Sequence, residues 1–138
     1  MTIPALLAAA ALSLLAAQPA AAQDDDFRDI PFVVTELRGN PPVDGITQTA
    51  TFGSNGTISG EGGCNGFSAG FIVMSEAIMV QPARSTRKAC EPAIMEAEKR
   101  MLDALSVVVE VEYDADAGTL VLKGADRRAV MRLARQDG

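Results

Sequence analysis

The chain has no histidine and no tryptophan, and only one tyrosine and five phenylalanines. Without histidine there is no Ser-His-Asp or Cys-His catalysis, no His-ligated zinc and no haem held by an axial imidazole. The scarcity of aromatics removes most of the stacking surface a single-strand nucleic-acid binder uses. Basic charge is short as well: 12 Lys and Arg against 18 Asp and Glu leave a net charge of −6. Binding a phosphate backbone needs a basic face, so nucleic acid is excluded as a partner. No cofactor is implied.

Charge is missing altogether from residues 1–22. Leu6 to Ala17 is an apolar run, and Ala20-Ala21-Ala22 precedes the acidic cluster Asp24-Asp25-Asp26. The run is well short of the roughly 20 residues a membrane span needs. A short apolar core followed by an A-x-A site is the pattern of a secretory signal. The reading is a signal peptide over 1–22, cleaved after Ala22, with 23–29 as a flexible acidic start. A buried helix of the mature domain is the alternative. No cysteine stands near the cleavage site, so no membrane anchor is expected. The mature protein is expected to be a monomer in the periplasm or secreted.

Only two cysteines are present. Two cannot build a structural zinc site, and their spacing is not Cys-x-x-Cys. In an exported chain an even count favours a Cys64–Cys90 disulfide. Two buried thiols are the alternative.

The remaining chain fits one domain. Pro31 to Leu37 reads as a strand, ended by Gly39-Asn40-Pro41-Pro42. Ile46 to Phe52 alternates, with Ile46, Ala50 and Phe52 on one face. Ser54-Asn55-Gly56 is a hairpin signal. A three-residue loop with Gly56 left-handed pairs Phe52 with Ile58; a two-residue turn pairs it with Ser59. Burial favours the first register. Gly60 to Gly66 holds four glycines in seven residues. No Gly-Lys-Ser/Thr follows, so a tightly bent strand connection is preferred to a phosphate loop.

Phe67, Ala69, Phe71 and Val73 alternate as a strand, and Ile78 and Val80 mark a short return. From Pro92 to Leu105 the period becomes helical, with Ile94, Ala97, Met101 and Leu105 on one stripe and Met95, Glu98 and Leu102 beside it. Val107, Val109, Val111 and Tyr113 alternate again, with Glu110 and Glu112 outward. Leu120 and Leu122, then Ala129, Met131 and Leu133, form further inward faces. The predicted fold is α+β, mainly β. It is a curled antiparallel sheet or half-open barrel of about seven to eight short strands with one helix packed against it.

Three segments together resemble the META domain, the HslJ-like heat-shock family. Phe32 to Pro42 looks like its opening strand and turn. Thr51 to Phe71 carries a Gly-x-x-Gly-Cys-Asn-x-Phe core at Gly60, Gly63, Cys64, Asn65 and Phe67. Ser85 to Leu105 carries a Ser-Thr-x-x-x-Cys box at Ser85, Thr86 and Cys90, followed by the helix. The resemblance spans 30–134, leaving 135–138 as a tail. It implies a small exported or envelope-associated β-rich domain with no established enzymatic activity, in a family linked to heat shock and envelope stress. The two family cysteines fall on Cys64 and Cys90, which strengthens the disulfide reading.

The leading functional expectation is a non-catalytic exported domain with a role in envelope stress, binding an unknown protein partner or an apolar ligand. A cavity lined by Phe52, Phe67, Phe71 and Val109 would hold such a ligand, although the same residues can simply fill the core. A lipid or hydrophobic small-molecule carrier, an edge-pairing interaction module and a His-independent enzyme are the alternatives. Asn65 and Thr86 are expected to satisfy backbone groups freed at the glycine-rich bend.

Overall fold

The computed structural model describes residues 26–137, together with Thr2, Pro4, Ala5 and residues 9–13. The expected leader and its cleavage site otherwise lie outside the described residues. Among the described residues nine strands and one helix follow in chain order. They are β1 (Pro31–Leu37), β2 (Thr49–Phe52), β3 (Thr57–Glu61), β4 (Gly66–Met74), β5 (Ala77–Val80), β6 (Arg84–Ser85), α1 (Pro92–Ser106), β7 (Glu110–Asp114), β8 (Thr119–Lys123) and β9 (Ala129–Arg135).

The strands run in the order β3-β2-β1-β9-β8-β7-β5-β4, and β4 pairs back onto β3. This closes an eight-stranded antiparallel barrel, with β6 as an extra strand on β4. Closure leaves few free edges, since only a closed sheet pairs every strand on both sides. An edge-pairing module therefore finds little edge here beyond β6. The thinnest seam is β5–β7, with a single paired position, Ala77 with Glu110.

Alternation builds the core. Phe32 and Val34, Ala50 and Phe52, Phe67, Ala69 and Phe71, Leu120 and Leu122, and Met131 and Leu133 all point inward and are buried. The β2–β3 hairpin adopts the register that buries both Phe52 and Ile58, which pair directly. Gly56 sits at φ +84° in its turn. The Ile46 strand is shorter than its alternation predicts: β2 starts at Thr49, and Ile46 lies half-buried in the preceding loop.

Helix α1 starts with Pro92, whose missing N–H costs nothing at that position. It buries Ala97, Glu98, Met101, Ala104 and Leu105. Met101 and Leu105 are almost wholly enclosed and belong to the barrel's own core cluster.

Three expectations are corrected. Residues 27–29 belong to the fold rather than to a flexible start. Phe27 is buried and meets Phe52 edge-to-face at 5.4 Å, Asp29 N–H donates to Phe52 O, and Asp29 accepts from Ser54 N–H at 2.9 Å. An aromatic ring directly after the acidic cluster has a place in the core, and that outweighs the charge beside it. At the other end β9 runs to Arg135, and Gln136 N–H donates to Pro31 O, so the tail is shorter than 135–138. Finally, Val107 and Val109 face outward, 44% and 45% exposed, while Val108 is buried. The helix runs on to Ser106 and β7 begins only at Glu110, so the valines between them lie in a connection with no strand parity.

Candidate functional site

The glycine-rich bend lies between β3 and β4. Gly62 N–H donates to Asn65 O and tightens it. Gly60 runs against the Thr49 backbone so closely that no Cβ fits. A Cβ on Gly62 would lie 2.6 Å from Glu98 Cγ, and Gly63 holds φ +127°. The bend is glycine-rich because strand β2 on one side and helix α1 on the other occupy the space side chains would need.

Glu98 projects from the helix into this bend. Its Oε2 accepts from Cys64 N–H at 3.0 Å and Asn65 N–H at 2.6 Å, and its Oε1 accepts from Asn65 Nδ2 at 2.7 Å. The residue is 5% exposed. Burial pushes its carboxyl upward, but the Asn65 and Cys64 donors outweigh burial and hold it below its ordinary value. Asn65 is buried too. Its Oδ1 accepts from Thr86 Oγ1 at 2.9 Å and Lys88 N–H at 2.7 Å, and its Nδ2 also donates to Lys88 O at 3.2 Å. Cys64 and Cys90 are bonded, with Cα atoms 6.1 Å apart.

Of the family-motif residues, Cys64, Asn65, Thr86 and Cys90 thus meet in one knot that ties the bend, the segment from Thr86 to Cys90 and helix α1 together, while Gly60, Phe67 and Ser85 stand in the paired strands. Asn65 does serve backbone groups, but those of Lys88 rather than of the bend. The bend's N–H groups at Cys64 and Asn65 go to Glu98, and that of Gly62 goes to Asn65 O. The Thr86 hydroxyl goes to the Asn65 side chain and to no backbone group. Gly60, Phe67, Ser85 and Thr86 also border a shallow polar groove on the outer face of β2, β3, β4 and β6.

Phe52, Phe67 and Phe71 are buried members of the core cluster. Phe52 meets Phe27 and Phe71 edge-to-face, each at 5.4 Å, so ring packs on ring where a ligand would sit. Val109 is on the surface and lines nothing inside.

The cleft with ligand-like features lies beside the knot instead, between the β1–β2 connection and α1. It has a volume of about 340 Å³. Val34, Ala97 and Gln48 are its buried lining; Leu37, Pro41, Pro42 and Val43 add apolar wall; Arg38, Asn40 and Arg100 add polar groups. Gln48 is 5% exposed. Its Nε2 donates to Gly62 O at 2.8 Å and Ala97 O at 3.0 Å, so one side chain joins knot, helix and cleft. Its Oε1 meets no donor among the described residues.

Sequence reasoning passed over both Gln48 and Glu98. For Gln48 the signal was present: it shares the parity of Ile46, Ala50 and Phe52, and a polar residue in an apolar stripe has a partner to find. For Glu98 the helical period placed it only beside the apolar stripe, where exposed and buried carboxylates look the same.

Among known proteins, the sequence pattern of the META domain matches residues 25–137. No curated protein sequence matches the chain. Three solved structures share the fold. A protein solved by NMR is 22% identical, with a TM-score of 0.60, over 79% of this chain and 91% of that one. A Burkholderia xenovorans protein, also solved by NMR, is 20% identical with a TM-score of 0.62, over 81% and 85%. The crystal structure of a DUF4847 family protein from Bacteroides vulgatus is 14% identical with a TM-score of 0.54, over 83% and 99%. The matched residues take in the whole barrel, the helix and the knot, and the chain belongs to the META domain family.

Proposed function

We propose that this protein is an exported, non-catalytic binding domain of the envelope stress response, acting as a monomer. One observation carries the binding reading: a cleft of about 340 Å³ combines an apolar wall with two arginines and with Gln48, whose carbonyl oxygen meets no donor among the described residues. Among the described residues no fully buried side-chain oxygen or nitrogen lacks a partner, so this oxygen keeps contact with solvent and stays open to a donor from a ligand. The Cys64–Cys90 bond supports export, since such bonds persist in oxidising compartments. The stress role rests on family membership. The non-catalytic reading is supported by Glu98, whose two oxygens are already committed to three N–H donors. The ring-packed barrel interior weighs against a lipid carrier.

A protein partner is the second reading. Ile72, Met74 and Met79 are 57%, 74% and 66% exposed on the outer face of β4 and β5, with Ile72 directly opposite Met79. Complementation separates the two. A strain lacking the gene is challenged with heat, detergent and antibiotics, then supplied with wild type, Arg38→Gln/Arg100→Gln, or Ile72→Lys/Met79→Lys. Loss of rescue by the arginine variant alone supports the cleft. Loss by the β4–β5 variant alone supports the protein partner. A strain with no phenotype under any challenge contradicts the stress role.

A further inference from the structure

Within a chain of net charge −6, the lining of the Gln48 cleft includes two arginines and no acidic residue. Arg100 is only loosely engaged: its Nη1 lies 3.6 Å from Glu96 Oε1, and both side chains are more than half exposed. Such an exposed pair contributes little and leaves the guanidinium available. Arg38 has no ion-pair partner among the described residues. Its position is nonetheless fixed, because its N–H donates to Val130 O and Leu37 and Asn40 bridge around it. Gln48 also lines the cleft, and its Oε1, which has no partner among the described residues and is not fully buried, is left as a free acceptor; Val34 and Leu37 offer apolar surface.

Three complementary features define the occupant. An anionic group matches the arginines, and carboxylate is the commonest planar partner of a guanidinium. An N–H or O–H donor matches Gln48 Oε1. A compact apolar group matches the wall, in a volume near the small end of ligand cavities, about 300–1,000 Å³. We infer that the cleft binds a small carboxylate that carries an adjacent hydrogen-bond donor and a branched apolar group, the chemistry of an N-acylated amino acid. The inference rests on the binding reading above and specifies its ligand class.

Titration of the isotope-labelled, oxidised protein by two-dimensional NMR tests it. Three probes each isolate one feature. N-acetylleucine has all three, N-acetylleucinamide lacks the charge, and 4-methylpentanoate lacks the donor. The expected result is saturable shifts at Val34, Gln48 and Ala97 with N-acetylleucine, and at least tenfold weaker binding of the amide. That ratio is of the size one charge-assisted hydrogen bond supplies. 4-Methylpentanoate is expected to bind several-fold more weakly than N-acetylleucine. Arg38→Gln/Arg100→Gln, which alters two exposed side chains, is expected to erase the preference for acid over amide while the amide still binds. Equal binding of acid and amide, or a preference that survives in the double variant, overturns the ligand class but leaves the binding reading standing. No shift at the cleft with any probe overturns both.

Discussion

Asn65 and Glu98 illustrate how much one buried pair can hold. Glu98 is the acceptor for two backbone N–H groups that the bend removes from sheet pairing, and Asn65 is both donor and acceptor for the Lys88 backbone. Removing either partner leaves buried groups unsatisfied, at about 1–3 kcal/mol and more where a charge is stranded. Asn65→Ala is expected to lower Tm by about 4–12 °C in a thermal melt. The charge also has a pH signature. A carboxyl held below its unfolded value contributes stability that is fully present above that value and is lost as pH falls through the folded value. For Glu98 the loss begins below the ordinary 4.5. Denaturant melts should therefore show stability falling as pH drops from that point, with a shallower slope in Glu98→Gln. Equal slopes would contradict the role given to this residue. The motif residues were legible in the sequence as a group, but their carboxylate partner on the helix was not. A carboxylate's burial depends on which element faces it, and spacing along one helix does not report that.

At the scale of elements, periodicity carries furthest where a strand is held on both sides. β1 spans the residues its pattern indicates, and the β2–β3 hairpin takes the register that burial favours. Gly56 is central to that turn. A Cβ there would meet only Phe71 O, at 3.7 Å, so space is not the constraint; the left-handed backbone is. Gly56→Ala is expected to cost about 1–2 kcal/mol, read as a shift in urea midpoint with unchanged slope. Periodicity fails at junctions. Val107 to Val109 lie between a helix end and a strand start, where neither period applies. β6 is two residues beside Pro82, too short to leave an alternation.

For the whole molecule, the helix is a lid on a closed barrel, held in two different ways. Its C-terminal half is held by burial, with Met101, Ala104 and Leu105 inside the core. Its N-terminal half is held by the knot: the disulfide, Glu98 on the bend, and Gln48 on Ala97 O. The bond links positions 26 apart in sequence. Loop entropy makes such a link worth about 3 kcal/mol, so Cys64→Ser/Cys90→Ser should lower the urea midpoint while keeping the strand-rich circular dichroism. Because Ala97 and Arg100 line the cleft, the same knot also sets the cleft's shape.

Hydrogen exchange of the backbone amides, compared between the oxidised protein and Cys64→Ser/Cys90→Ser, tests this division most directly. Local opening exposes amides segment by segment, so each half of the lid reports separately. Faster exchange is expected for amides from Thr86 to Glu98, with those from Met101 to Leu105 and the barrel strands changed only by the overall loss of stability. Unchanged protection from Thr86 to Glu98, or an equal loss along the whole helix, would contradict the claim that the motif knot pins the lid.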